Sequence, residues 1–228
     1  MIKLIVFDLD NTLAKIGKGI EPIDLELLKQ IEVKGIKIAI CSGKPVNYLC
    51  GFMRQAGLEE PILMGENGAV IQFGVDLPPE RFYCLPYSNE AKNTIRFLRE
   101  KFDENFSDMW YQPNEIGLTP FPKNEKEFEV ISNILEENKA RLNDVEIYRH
   151  IDSFDIIPTG IDKRKGLEYL CNLMQIQPEE VIAVGDGVND YPMFEFAGKA
   201  IGVNVKDEDK VDENFESVTK ALEYIKCI

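Results

Sequence analysis

The sequence predicts a doubly wound α/β fold, a parallel sheet with helices on both faces, into which a smaller α+β domain is inserted. Short apolar runs of strand length alternate with segments of helical periodicity near both ends of the chain. Repeated strand-then-helix units imply a parallel sheet with right-handed crossovers. The pattern changes between residues 79 and 157, where two amphipathic helices accompany short aromatic strands. We therefore expect one core built from two separated stretches of chain.

The first 78 residues supply three predicted strands and two predicted helices. Ile2 to Phe7 is a continuous apolar run, which is typical of a strand buried on both faces. Helices are predicted to begin near Pro22 and Pro45, because proline is favoured in the first turn of a helix. The other two strands are predicted at Ile36 to Cys41 and at Pro61 to Met64.

Residues 158–228 return to the same alternation. Asp162 is suited to cap a helix, and strands are predicted at Val181 to Val184 and at Ala200 to Val203. Proline and glycine near residues 78–79 and 158–160 predict hinges. The predicted domains are thus a core of residues 1–78 and 158–228, and an insert of residues 79–157 that acts as a mobile lid.

Composition limits the possible partners. Of 228 residues, 44% are hydrophobic and 29% are charged, which is typical of a soluble globular protein, and no apolar run approaches the roughly 20 residues that span a bilayer. The five cysteines are dispersed and there is one histidine, which argues against a zinc site or a disulfide framework and favours the cytoplasm. The net charge of −14 disfavours nucleic acids and membranes as partners, so an anionic substrate would need a bound metal and a lysine beside it.

Two acidic motifs follow predicted strands. Asp8 and Asp10 come directly after the first strand, and Asp186 and Asp190 lie in the glycine-rich turn after Val181 to Val184. The carboxyl ends of parallel strands are where open α/β sheets build their sites. Close carboxylates repel each other unless a cation offsets them, and Mg²⁺ prefers oxygen ligands. The alternative for each aspartate is an ordinary turn or capping role.

Two further segments could bind an anion. Ser42 and Gly43 lie between the second predicted strand and the helix after it, where a hydroxyl and free backbone N–H groups form a natural phosphate cradle. Lys165 lies in the first turn of the helix after Asp162, where an ammonium group could neutralise phosphate. Lys163 and Arg164 are local competitors for that role.

In combination, these segments resemble the four motifs of the haloacid dehalogenase superfamily. Asp8 to Leu13 matches its first motif (DxDxT), Ser42 its second, Lys165 its third and Gly185 to Asp190 its fourth. An insert between the second and third motifs, preceded by Glu66 to Ala69, is similar to the Cof-type branch, which includes sugar-phosphate, sucrose-phosphate and archaeal phosphoglycolate phosphatases and phosphomannomutase. Asn11 departs from the glycine usual in this branch, and Lys165 is chosen as the third-motif lysine because the branch places its lysine before a glycine, here Gly166.

The resemblance implies roles for these residues. Asp8 would be the nucleophile that forms an aspartyl-phosphate, and Asp10 the general acid and base, with its carbonyl group on Mg²⁺. The implied metal ligands are Asp8, Asp10, Asp186 and Asp190, and the implied substrate contacts are Ser42, Gly43, Lys165 and Asn189.

The resemblance implies a Mg²⁺-dependent phosphatase that hydrolyses a small phosphomonoester, such as a sugar phosphate or phosphoglycolate. We expect it to be a monomer or a small homo-oligomer. Two alternatives remain open at this stage. A phosphosugar mutase would use the same core residues, and a catalytically silent domain that binds phosphate would keep the fold.

Overall fold

The computed structural model describes all 228 residues. They form two compact units: a core, Met1–Tyr83 with Asp162–Ile228, and an insert, Cys84–Ile161. The helices of the chain are α1 (Pro22–Glu32), α2 (Val46–Arg54), α3 (Asn89–Asn105), α4 (Glu125–Glu137), α5 (Lys163–Met174), α6 (Tyr191–Phe196) and α7 (Val218–Cys227). The strands are β1 (Leu4–Asp8), β2 (Lys37–Cys41), β3 (Ile62–Gly65), β4 (Val70–Phe73), β5 (Arg81–Cys84), β6 (Trp110–Tyr111), β7 (Pro120–Phe121), β8 (Val145–Arg149), β9 (Phe154–Pro158), β10 (Val181–Gly185), β11 (Lys199–Val203) and β12 (Glu213–Phe215).

The core sheet has eight strands in the order β12-β11-β10-β1-β2-β3-β4-β5. From β12 to β3 every neighbouring pair is parallel. The chain moves outward from β1 in both directions, so right-handed crossovers place α1 and α2 on one face and α5 and α6 on the other. On the first face α7 packs on α1, and the Thr219 hydroxyl donates a hydrogen bond of 2.7 Å to the buried carboxylate of Asp24. The predicted doubly wound α/β core is confirmed.

The sheet order places the acidic motifs side by side. The central strand β1 lies between β10 and β2, and Asp8 at its end is aligned with Cys41 of β2. The apolar strand residues are fully buried because helices cover both faces of the sheet. The loops that follow β1, β2 and β10 therefore lie side by side at one edge of the sheet.

Three strands of the core sheet were not predicted from the sequence, namely β4 and the two edge strands β5 and β12. β4 pairs antiparallel with β3 through the four-residue turn Glu66–Ala69, and β5 continues the sheet beyond it. Because β5 extends the core sheet past residue 79, the division between the units falls after Tyr83 instead of after residue 78. At the return, the insert ends at Ile161, directly before the cap of α5.

The insert has its own hydrophobic core. Strands β8 and β9 form an antiparallel hairpin, β6 pairs with β7, and a bridge between Leu118 and Ile156 connects the two pairs. Helices α3 and α4 contribute apolar faces at helical spacing. The buried residues of this cluster are Ala91, Leu98, Phe102, Leu118, Phe128, Ile131, Ile134, Leu135, Val145, Phe154 and Ile156. The insert is thus the α+β unit that the sequence predicted.

Candidate active site

A buried lysine joins two of the predicted acidic positions. The ammonium group of Lys163, the first residue of α5, lies 2.5 Å from Asp8 Oδ1 and 2.6 Å from Asp190 Oδ1. All three side chains are almost completely buried. A buried charge is tolerated only when it is paired and hydrogen-bonded, and here each one is. The first, third and fourth motif segments therefore converge on one buried ion-pair network.

The structure places Lys163, and not the predicted Lys165, beside Asp8 and Asp190. The Nζ of Lys165 lies 2.8 Å from Glu168 on the outer face of α5, and its side chain is 58% exposed. Positions two residues apart on a helix differ by about 200° in direction, so Lys163 and Lys165 point to opposite sides. The apolar periodicity of α5 carries the missed signal, because Lys163 lies four residues before the buried Leu167.

Asp190 has both carboxylate oxygens engaged by the protein. Its Oδ1 pairs with Lys163, and its Oδ2 accepts hydrogen bonds from the backbone N–H groups of Asp186 at 2.9 Å and of Gly187 at 3.1 Å. The carboxylate fits beneath the turn only because residue 185 is glycine, since a Cβ there would lie 2.4 Å from Asp190 Oδ2. Asp190 therefore shapes the turn and orients Lys163, whereas Asp186 remains half-buried at the surface of the site.

The electrostatics of the cluster disfavour its negative charges. Burial raises the pKa of Asp8 to about 6, with Asp190 and Asp186 contributing in the same direction and Lys163 opposing them. Burial and the neighbouring Asp190 also raise the pKa of Asp186. For Lys163, burial alone would lower the pKa, but Asp8 and Asp190 together raise it, so the ammonium form is retained. With its carboxylates ionised, the cluster therefore carries more negative charge than Lys163 can offset.

A divalent cation fits this deficit. One carboxylate oxygen each from Asp8, Asp186 and Asp190 lie within 4.8 Å of one another. Three carboxylates beside one ammonium group leave two negative charges uncompensated when all are ionised. The donors are all hard oxygen atoms, which are the ligands that Mg²⁺ takes, commonly through one or two carboxylates. Since the oxygens of Asp190 are already engaged, Asp8 and Asp186 are the side chains best placed to hold the ion.

The loop after β1 holds Asp10 and Thr12 near the same edge. Asn11 donates its backbone N–H to the carbonyl of Ala14 and has a φ of 66°. Asparagine tolerates this left-handed conformation better than most residues, which explains how it replaces the glycine usual in the Cof-type branch. The Thr12 hydroxyl donates to Asp186 Oδ1 at 3.4 Å. Asp10 is half-buried, and its carboxylate is outside the cluster of three. That its backbone carbonyl group binds the metal stays a prediction.

The predicted phosphate cradle lies after β2. Ser42 is buried, and its Oγ accepts a hydrogen bond from the backbone N–H of Lys44 at 3.2 Å, which leaves the hydroxyl proton available to a ligand. Gly43 follows it and is half-buried. Asn189 is exposed on the turn between Asp186 and Asp190. The substrate-binding roles of Ser42, Gly43 and Asn189 stay predictions.

The fold and the site define an α/β protein with an acidic cluster at the carboxyl edge of its parallel sheet. The chain belongs to the haloacid dehalogenase-like hydrolase family, whose sequence model matches residues 5–78 and 79–220. Among curated relatives, the phosphoglycolate phosphatase of Methanococcoides burtonii is 27% identical over 97% of this chain and 91% of its own length. The phosphoglycolate phosphatase of Thermoplasma volcanium is 28% identical over 95% of this chain and 92% of its own length.

Solved structures support the fold. A haloacid dehalogenase-like hydrolase from Bacteroides thetaiotaomicron superposes with a TM-score of 0.79 at 20% identity, covering 99% of this chain and 100% of that one. A sugar phosphatase of subclass IIB gives a TM-score of 0.70 at 22% identity, covering 99% and 100%. The predicted resemblance is confirmed, and the protein is a phosphoric monoester hydrolase. No helix has both the length and the apolar character to cross a membrane.

Proposed function

We propose that this phosphatase hydrolyses a small phosphorylated carboxylic acid of the phosphoglycolate type, with Mg²⁺, through an aspartyl-phosphate on Asp8. The observation that carries the proposal is the buried pair of Asp8 and Lys163 beside Asp186. The names of the relatives point to the substrate class, because the chain aligns with phosphoglycolate phosphatases over nearly all of its length.

In the first step, a carboxylate oxygen of Asp8 attacks phosphorus and the bond from phosphorus to the substrate oxygen breaks. Asp10 gives a proton to the departing alkoxide, which leaves as an alcohol. Lys163 holds the carboxylate of Asp8 in place and contributes positive charge beside the transferring group. Asp190 keeps Lys163 charged and oriented through the ion pair of 2.6 Å.

In the second step, water attacks phosphorus of the aspartyl-phosphate. Asp10 accepts a proton from the water, the acyl phosphate bond breaks, and Asp8 is regenerated as inorganic phosphate forms. Ser42 is proposed to hold phosphoryl oxygens through both steps. When bound by Asp8 and Asp186, Mg²⁺ would supply positive charge that offsets the carboxylates and the phosphoryl oxygens.

A phosphate-release screen tests the proposal. The purified protein is assayed against phosphoglycolate, sugar phosphates, nucleotides and cofactor phosphates, with Mg²⁺ and with EDTA. We expect Mg²⁺-dependent release with phosphoglycolate among the preferred substrates. A product analysis accompanies it, because an isomerised sugar phosphate without free phosphate would contradict hydrolysis.

The covalent step has a separate test. Rapid acid quench of the enzyme with ³²P-labelled substrate is expected to leave label on the protein, at Asp8 by peptide mapping. Label that stays absent during steady turnover would contradict the aspartyl-phosphate, while leaving hydrolysis itself intact.

A further inference from the structure

The turn between β3 and β4 holds an asparagine in an unusual backbone conformation. Glu66, Asn67 and Gly68 have φ values of 53°, 56° and 88°, so three successive residues are left-handed. A non-glycine residue is strained in this region, and it persists there only where its surroundings fix the backbone. Such strained positions are concentrated at functional sites, which makes Asn67 a candidate functional residue.

The turn lies between the predicted phosphate cradle and the helix that carries Lys163. The backbone N–H of Asn67 donates to the carbonyl of Ser42 at 2.9 Å. On its other side, Gly68 packs directly on Gly166 of α5, since a Cβ on Gly166 would lie 2.5 Å from the Cα of Gly68. The turn that carries Asn67 is therefore held between Ser42 and the helix that begins at Lys163.

The side chain of Asn67 faces the cradle. A Cβ built on Gly43 would lie 3.6 Å from Asn67 Oδ1 and 3.7 Å from Asn67 Nδ2, so the carboxamide lies directly beside Gly43. The carboxamide is half-buried and makes no hydrogen bond within the protein. Glycine would satisfy the backbone at φ 56° more readily than asparagine does. The backbone alone thus gives no reason for an amide at this position.

We propose that Asn67 binds the phosphoryl group of the substrate, with Nδ2 donating a hydrogen bond to a phosphoryl oxygen on the Gly43 side of the site. The inference rests on the proposed function and adds a binding residue to it. A neutral donor at this point complements Ser42 and Lys163 without adding a charge that would compete with the metal. Because the contact is to the phosphoryl group, it should strengthen the binding of every phosphomonoester substrate to the same extent.

The test compares inorganic phosphate binding by isothermal titration calorimetry, in Mg²⁺, for the wild type and Asn67→Gly. Glycine tolerates the left-handed backbone and removes the side chain with its carboxamide. A hydrogen bond to a charged group is worth about 1.5–3 kcal/mol, so the variant is expected to bind phosphate about 10-fold to 100-fold more weakly. The matched control is Gln175→Gly, since Gln175 is exposed, has a φ of 55° and follows the opposite end of α5. The control should bind phosphate like the wild type.

Kinetics give a second readout. The loss in kcat/KM for Asn67→Gly should be the same for two substrates with different leaving groups. Unchanged phosphate affinity in a folded Asn67→Gly protein overturns the inference, as does a wild type that binds no phosphate. If the wild type binds phosphate but hydrolyses nothing in the screen, the proposed function fails. The comparison of phosphate affinities between the wild type and Asn67→Gly still tests whether Asn67 binds phosphate.

Discussion

Lys163 Nζ lies 2.5 Å from Asp8 Oδ1, although the two residues are 155 positions apart in the chain. This contact joins the first strand of the core to the helix that follows the insert. The core is therefore complete only when both of its separated stretches have folded together. The proposed nucleophile precedes the insert in the sequence, and its cationic partner follows it.

Lys163→Met is expected to abolish most turnover, because it removes the charge beside Asp8 and leaves two buried carboxylates facing each other. Breaking a buried ion pair costs about 3–5 kcal/mol, so the melting temperature should fall as well. Lys165→Met removes an exposed lysine from the same helix, and its turnover should stay within about twofold of the wild type. Its melting temperature should change little, because an exposed ion pair is worth at most about 1 kcal/mol. Phosphate release and thermal melting check both variants, and an inactive Lys165→Met with an active Lys163→Met would reverse the assignment.

The lysine shows where sequence reasoning reached its limit. The acidic motifs could be predicted because Asp8 and Asp186 directly follow apolar strands, and strand order then fixes their proximity. Choosing between Lys163 and Lys165 required the direction of a side chain on α5. Family spacing favoured the lysine next to Gly166, whereas the apolar face of the helix, read backward from Leu167, favoured Lys163.

The missed strand β4 has a different cause. β4 is four residues long and follows β3 after a turn of four residues, so neither a helical nor an alternating pattern identifies it. Its antiparallel pairing depends on the left-handed turn, which is set by contacts with Ser42 and Gly166 from other parts of the chain. Local sequence periodicity cannot report such contacts.

Asp8→Asn is expected to eliminate turnover, because an amide cannot form the aspartyl-phosphate. It should also stabilise the metal-free fold near neutral pH. Since burial raises the pKa of Asp8 from 3.8 to about 6, the folded state binds more protons than the unfolded state between those values, and the wild type loses stability as pH rises through that window.

The check is a comparison of melting temperatures in EDTA between pH 4 and pH 7. The advantage of Asp8→Asn over the wild type should be small at pH 4 and grow toward pH 7. An advantage that shrinks over this interval would show that the fold favours the ionised carboxylate of Asp8, which is the opposite of a raised pKa.

Magnesium is expected to stabilise the wild type by binding the folded state only. At 100 times the dissociation constant, the gain is about 2.7 kcal/mol, which corresponds to a rise of about 5 °C or more in the melting temperature. Asp186→Asn should lose this rise because Asp186 is a proposed ligand. Glu100→Gln, which removes an exposed carboxylate of α3 in the insert, should keep it. A full rise in Asp186→Asn would place the ion elsewhere.

Asp10→Asn separates proton transfer from binding. General acid–base catalysis contributes roughly 10² to 10⁴-fold, so turnover should fall by about that factor while inorganic phosphate still binds. The loss should be smaller for substrates whose leaving groups are good enough to depart without a proton, such as p-nitrophenyl phosphate. An equal loss for good and poor leaving groups would argue that Asp10 does not act as the general acid.

Gly166→Ala tests whether the close packing of α5 on the β3–β4 turn positions Lys163. The added methyl group would lie 2.5 Å from the Cα of Gly68 and 2.7 Å from its carbonyl oxygen, so the helix or the turn must move. Because α5 begins at Lys163, such a movement shifts the ammonium group relative to Asp8, and kcat should fall more than tenfold.

Gly51→Ala is the matched control for this movement. Gly51 lies in helix α2 with no atom within 4 Å of the added Cβ, so alanine there should stabilise the fold by about 0.5–1 kcal/mol through helix propensity and leave kcat unchanged. Thermal melting and steady-state kinetics on both variants measure the contrast. If Gly166→Ala matched Gly51→Ala in kcat, the contact between Gly68 and Gly166 would be a packing feature only, and the position of Lys163 would depend on its ion pairs with Asp8 and Asp190 alone.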